Sequence, residues 1–372
     1  MTTTAARRAS LEDDLRCVLP AWVTARVLVA AGYVAAVAIS DRLLHHHPEQ
    51  LDNGLVAWDG TWYRDIAARG YHGVPLSGIR FFPLFPLLAR WLAAPFGGAV
   101  SPWLVIIANV ASLVAAVLIR RLVLLEKDDR RLAERAVWCS AIFPSAFVLV
   151  LGYAEALMLV ATLGAFLCLR RERWGWAAAF GLVAALSRPL GVLVAVPALV
   201  EAARGLRRAG VGDVAARTLA VAAPVAGLAI YLGWVGHVFG NWRLPFTVQD
   251  DLRGRLVLPP ARILDGFRQM LGSQRFNHGL HIPFLLLFVV LVVLTFRWWP
   301  ASYGCFAAAI VVVAMSAQNL NSLERYGMNA FPLLLTLAVL IRPPQVERAA
   351  FAVMGGGMVA LSSMAWLGAY VP

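Results

Sequence analysis

The chain has 372 residues, of which 60% are hydrophobic and only 15% charged, with a mean hydropathy of +0.71. Soluble domains run to roughly half apolar and a quarter charged, so one water-soluble core is excluded and lipid must be the solvent for much of the chain. The net charge of +12 sits mainly in short loops between apolar runs, a pattern of membrane topology and not of a nucleic-acid-binding face.

A helix needs about 20 apolar residues to cross a bilayer. Apolar runs fall at 19–40, 102–119, 136–151, 154–169, 174–186, 189–200, 219–239, 281–296, 301–317, 328–341 and 351–370. They predict an all-α polytopic membrane protein of about 11 transmembrane helices. With no internal repeat and no low-complexity linker, 1–372 reads as one domain. Several runs are short and require tilt or a water-filled cavity. The polar stretch through Arg16 leads into a long apolar segment without a small-residue cleavage site, so no cleaved signal is expected.

Basic clusters recur at Arg7, Arg8 and Arg16, along 120–135, at Arg170, Arg171 and Arg173, at Arg204, Arg207 and Arg208, and at Arg342 and Arg348. Placing them all in the cytoplasm leaves an even number of spans between each pair, with the N-terminus inside and the C-terminus outside. Two large extracytoplasmic loops, 41–101 and 240–280, then face outward with the turns at Tyr153 to Glu155 and at Ser187 and Arg188, and with the segment 318–326. Ionisable groups interrupt the apolar pattern at these places. Each costs roughly 2.5–3.5 kcal/mol at a helix centre, so their recurrence predicts one shared site near the outer face.

In the first outer loop, Asp59 precedes a helical pattern from Thr61 to Arg69 that ends at Gly70. Trp58, Trp62 and Ile66 suit an interfacial helix. Asp59 fits an N-cap and fits a general base. In RFFPLFPLLARW, Phe81, Phe82 and Phe85 read as membrane anchors, and Arg80 stands where the chain meets apolar surface and could hold a phosphate. Arg188 reads as a phosphate ligand or a helix-end snorkel. Arg325 reads as a phosphate ligand or the ion-pair partner of Glu324. Glu155 reads as a helix-start acid, an acceptor contact or an arginine partner. Arg64 and Asp65 are expected in solvent, and Asp250 and Asp251 as acceptor contacts. The run His45, His46, His47 lacks a spaced ligand partner, so no metal site is expected. Cys17, Cys139, Cys168 and Cys305 have no CxxC spacing and read as small buried hydrophobes, not disulfides or metal ligands.

Five motifs occur in order over 58–331: WDGTWYRDIAARGY, FFPLFPLL, FPSAFVLVLGYAEALML, LVAALSRPLG and ERYGMNAFPLLL. Together they resemble the bacterial PIG-V-like mannosyltransferases, which are similar to GPI mannosyltransferase 2 and belong to the GT-C class of membrane glycosyltransferases. The resemblance implies a GT-C-type helical bundle whose large first extracytoplasmic loop carries interfacial helices. It implies an inverting transfer of mannose from polyprenyl-phosphate-mannose to a glycolipid, lipoglycan or protein acceptor. The reaction would run on the extracytoplasmic face of the plasma (inner) membrane, without cofactor or metal. Asp59, in the Trp-Asp-Gly motif, takes the place of the catalytic acid. Arg188, Arg325, Arg80 and Tyr326 are then the candidates for the donor phosphate. Glu155, Tyr153, Trp58 and Tyr63 are the candidates for acceptor contact or support. Eukaryotic relatives tend to carry a small residue where Arg80 stands. Two alternatives remain: another polyprenyl-phosphate-linked sugar such as glucose or arabinose, or a transporter or flippase of a lipid-linked substrate. The paired, interrupted halves usual for transporters are not evident in the sequence.

Overall fold

The computed structural model describes residues 10–43, 47–253, 264, 268, 271–272, 279–316 and 320–372. His45, His46, Gln318 and the side chains of Asp250 and Asp251 lie outside the described residues. Every regular element among the described residues is helical.

The chain opens with α1 (Leu11–Leu43). The first loop carries α2 (Asp59–Arg69) and α3 (Leu84–Ala93). Then come α4 (Val100–Lys127), α5 (Arg130–Ile142), α6 (Glu155–Leu169), α7 (Trp174–Ser187), α8 (Ala195–Ala203), α9 (Val211–Phe239) and α10 (Leu244–Arg253). The rest comprises α11 (Ile282–Trp298), α12 (Ala301–Met315), α13 (Leu323–Asn329), α14 (Phe331–Leu340) and α15 (Pro344–Trp366). Five of these, α1, α4, α9, α11 with the turn before it, and α15, are long and apolar enough to cross a membrane. Shorter apolar helices, α6, α7, α12 and α14 among them, pack between the long ones. The molecule is a polytopic all-α membrane protein.

The run at 136–151, expected as one span, is instead broken. Helix α5 stops at Ile142, and Phe143 is extended at φ −53 and ψ 141. The cause is Pro144, which disfavours helical backbone in the residue before it. A 3-10 segment, Pro144–Leu149, follows with all six residues buried. Irregular backbone at membrane depth is tolerated when protein, and not lipid, surrounds it. This break brings Tyr153 and the start of α6 to one end of the bundle. Helices α6 and α7 pack on each other as an antiparallel pair, so Glu155 and Ser187 lie at that same end. The sharp return after Arg188 requires Gly191, where a Cβ would strike the backbone of Ala184.

The opposite end is tied by ion pairs that draw on the basic clusters. Buried Asp14 bonds Arg120, and Arg121 at 2.6 Å. Arg170 reaches Glu126 at 2.6 Å and Glu201 at 3.1 Å, and Arg135 reaches Glu347 at 2.8 Å. The two ends thus carry separate charge networks.

Several expectations need correction. Phe81, Phe82 and Phe85 are at most 5% exposed. They pack inside the protein: Phe81 and Phe85 lie against residues of α2 and α4, and Phe82 against Tyr231 of α9. Cys139 is buried, but Cys17, Cys168 and Cys305 are only half-buried. Arg64 and Asp65 pair with each other at 3.0 Å and are half-buried. His47 pairs with Asp52 at 3.1 Å in exposed surroundings.

A sidedness test follows from the two ends. In a background with the four native cysteines replaced by Ser, Arg130→Cys and Asn241→Cys, both at exposed positions, are expected to react with an impermeant maleimide from opposite sides. Arg130→Cys should react from the cytoplasm. Labelling of both from outside would overturn the arrangement.

Candidate active site

Asp59 is the first residue of α2, yet its side chain caps nothing. The N-cap position falls on Trp58, which makes no side-chain cap bond. The N-cap reading of Asp59 is therefore replaced by an ionic one: Arg325 Nη1 donates to Asp59 Oδ2 at 2.6 Å. Trp58 holds φ 55 and ψ −119, a region that costs a bulky residue about 1–3 kcal/mol. Three bonds hold it there. Its backbone N–H donates to Gln50 at 2.8 Å, its indole N–H to the Ala365 carbonyl at 2.8 Å, and its carbonyl accepts from the Thr61 hydroxyl at 2.7 Å. The strain lies immediately before Asp59 and fixes where that carboxylate points.

Arg325 also approaches Glu155 Oε1 at 3.2 Å, and Glu155 in turn bonds Arg188 Nη1. The result is a chain of alternating charge, Asp59–Arg325–Glu155–Arg188, drawn from α2, α13, α6 and the end of α7. Tyr153 lies behind it. Its hydroxyl accepts from the Asp59 backbone N–H at 3.3 Å, and Arg325 lies 5.8 Å above its ring. Tyr63 is buried with its ring edge-on to Phe81 and Phe85 at 5.0 Å. Burial pushes its phenol well up, which keeps it protonated. Arg80 lies over the rings of Phe81 at 4.8 Å and Trp62 at 5.6 Å. Tyr326 follows Arg325 on α13 and is half-buried.

Exposure separates the two carboxylates. The Asp59 side chain is 20% exposed and that of Glu155 is 0% exposed. Burial alone raises the Asp59 pKa, but the guanidiniums of Arg325, Arg188 and Arg80 more than offset this and hold it below the ordinary carboxylate value. Among the described residues, Glu155 Oε2, Arg188 Nε and Arg325 Nε are buried without a hydrogen-bond partner. An unmet buried polar atom costs about 1–3 kcal/mol, and these three lie in one cluster. No three His, Cys, Asp or Glu side chains among the described residues converge to hold a metal.

The structure thus brings Asp59, Tyr153, Glu155, Arg188 and Arg325 together, with Arg80, Trp58 and Tyr63 around them. It does not pair Arg325 with Glu324. Consecutive helical residues point about 100° apart and do not face each other. Glu324 bonds His281 and Tyr370 instead, and neither residue stood out in the sequence. His281 was hidden at the start of an apolar run and Tyr370 at the end of another.

No protein-family model matches the chain, and comparison with curated proteins gives no match. Among solved structures, one similar to this chain is the crystal structure of the Archaeoglobus fulgidus oligosaccharyltransferase in complex with Zn and sulfate. It is 14% identical at a TM-score of 0.46, over 90% of this chain and 53% of that one. This chain spans about half the length of that protein.

Proposed function

We propose that the protein is an inverting GT-C-type glycosyltransferase. It moves mannose from polyprenyl-phosphate-mannose to a glycolipid, lipoglycan or protein acceptor on the extracytoplasmic face of the plasma membrane. The observation that carries this reading is the partly exposed Asp59 carboxylate set beside buried arginines whose Nε–H groups are unmet. The five motifs that resemble PIG-V-like mannosyltransferases support it.

The proposed chemistry uses the groups of this site. The acceptor hydroxyl attacks C1 of the sugar from the face opposite the phosphate, which inverts that carbon. Asp59 takes the hydroxyl proton as general base, a role that supplies typically about 10²–10⁴-fold. The C1–O bond to the lipid phosphate breaks, and its electron pair stays on the phosphate oxygen. Arg325, Arg188 and Arg80 receive that charge, and their planar forks match phosphate oxygens. Asp59 and not Glu155 is the base, because a base must touch the incoming hydroxyl and Glu155 is fully enclosed.

Asp59 and Glu155 contribute −2 and Arg188 and Arg325 contribute +2, so these four paired groups balance one another. No metal or cofactor is part of this proposal.

The test is to incubate membranes containing the protein with polyprenyl-phosphate-mannose radiolabelled in the sugar. A product carrying covalently bound label, dependent on the chain, is expected. Transfer only from a glucose- or arabinose-linked donor would replace mannose. Movement of the intact donor across the bilayer without a product would make the protein a flippase.

A further inference from the structure

A third acid lies beside the cluster and takes no part in the reaction just described. Glu324 is 0% exposed. His281 Nδ1 lies 2.7 Å from its Oε1, and the Tyr370 hydroxyl donates to its Oε2 at 3.0 Å. His281 and Tyr370 are themselves at most 4% exposed. Among the described residues, His281 is the one basic side chain within ion-pairing distance of this carboxylate. The three side chains come from the turn before α11, from α13 and from the segment after α15, and they meet where those parts of the chain converge.

Glu324 and Arg325 are neighbours on α13, a helix of only seven residues. A helix that short has no stability of its own, so its orientation is set by what its side chains grip. Polar bonds on either side of this carboxylate also hold the helix. The Glu324 carbonyl accepts from the Ser145 hydroxyl at 2.9 Å. Ser322, at φ 65 and ψ 15, opens the helix in the left-handed region. Its hydroxyl donates to the Pro372 carbonyl at 2.7 Å and stands 3.4 Å from Arg325 Nη2. Non-glycine residues hold such a backbone only where the surroundings over-determine it. The grip on the Glu324 carboxylate sets the rotation of α13 about its own axis. Because adjacent side chains are about 100° apart, that rotation also sets whether Arg325 meets Asp59.

We propose that His281, Glu324 and Tyr370 form a buried positioning relay that fixes the rotation of α13 and so holds Arg325 against Asp59. The relay rests on the reading of Asp59 and Arg325 as the reaction centre. His281 touches neither of them. It acts through Glu324 and is a positioning residue.

The test uses three variants of the full chain, purified in detergent and scored per folded molecule for transfer from radiolabelled polyprenyl-phosphate-mannose. His281→Leu keeps the bulk and removes the ring nitrogens. His281→Asn keeps an N–H donor near the place of Nδ1. Tyr370→Phe removes one oxygen. Loss of a partner that orients a metal-ligating group costs typically about 10–100-fold; on the same scale His281→Leu should lower kcat/KM for the donor by that factor, with kcat reduced and the donor KM raised, because Arg325 meets both Asp59 and the donor phosphate. His281→Asn should recover to within a few fold, and Tyr370→Phe should fall between them. A role confined to folding would lower the yield of all three and leave kcat per folded molecule unchanged, which would overturn the relay. Equal damage in the Leu and Asn variants would overturn it as well. If His281→Leu does not fold, Tyr370→Phe decides: wild-type kcat there ends the proposal. Asp59→Asn, assayed alongside, keeps the two readings apart. An active Asp59→Asn removes the reaction centre itself, whereas an inactive Asp59→Asn beside a fully active His281→Leu removes only the relay.

Discussion

Asp59→Asn is expected to leave a folded protein whose transfer rate is lower by about 10²–10⁴-fold, or about 3–5 kcal/mol of barrier. Asn keeps the size of the side chain and removes its basicity. Because the Asp59 side chain caps nothing, the substitution does not uncap α2, and Arg325 retains Glu155 at 3.2 Å. Asp65→Asn on the same helix is the control. Asp65 pairs with Arg64 at 3.0 Å and Arg69 at 2.7 Å in half-exposed surroundings, and such pairs contribute at most about 1 kcal/mol. Its rate should stay close to wild type. The pH dependence has a defined sign. The Asp59 pKa is held below the ordinary value despite burial, through Arg325 first and then Arg188 and Arg80. Its contribution to stability is therefore present above the ordinary carboxylate pKa and is lost as pH falls through the depressed one. The acid limb that Asp59 imposes on kcat/KM should lie below the usual carboxylate range and move upward in Arg325→Ala. Wild-type transfer by folded Asp59→Asn would remove the assignment.

Much of this arrangement was legible in the sequence because lipid is an undiscriminating solvent. An ionisable group that interrupts the apolar pattern stands out, as Glu155, Arg188 and Arg325 do, whereas Asp59, in the first outer loop, stands out as a helix-start acid within the Trp-Asp-Gly motif. Their convergence followed from counting spans between basic clusters. What was not legible is which group meets which. Glu324 and Arg325 are adjacent in the chain, yet they serve two different networks, because helical geometry turns neighbours apart. Phe81, Phe82 and Phe85 looked like lipid anchors, since hydropathy cannot tell a bilayer from a protein interior when both are apolar. The run at 136–151 looked continuous because its residues stay apolar through the break, and Pro144 alone carried the signal. The strain at Trp58 has no signature in composition. It becomes visible only when its bonds to Gln50 and to the Ala365 carbonyl, one on each side of a long stretch of chain, are seen together.

Glu155→Gln and Arg188→Met are each expected to destabilise the protein, and the double variant is expected to destabilise it by much less than their sum. Both groups are buried and bonded to each other. Removing one partner of such a pair costs about 3–5 kcal/mol, because the other charge is left in a poor solvent, whereas replacing both by neutral groups is close to neutral. The singles differ in their effect on the donor. Glu155→Gln leaves Asp59 at −1 against Arg188 and Arg325 at +2, an excess of +1 in the cluster of four. Arg188→Met leaves Asp59 and Glu155 at −2 against Arg325 at +1, a deficit of −1. An anionic phosphate should bind the first more tightly and the second more weakly than wild type, so the donor KM should move in opposite directions while both proteins lose stability. Arg188→Lys should recover little, because a single ammonium cannot reproduce a fork that serves Glu155 through Nη1 and leaves Nε for a ligand. Thermal unfolding in detergent and donor titration of the four proteins measure both effects. Strict additivity of the stabilities would show that Glu155 and Arg188 do not act as a pair. An unchanged donor KM in both singles would place the phosphate away from Arg188.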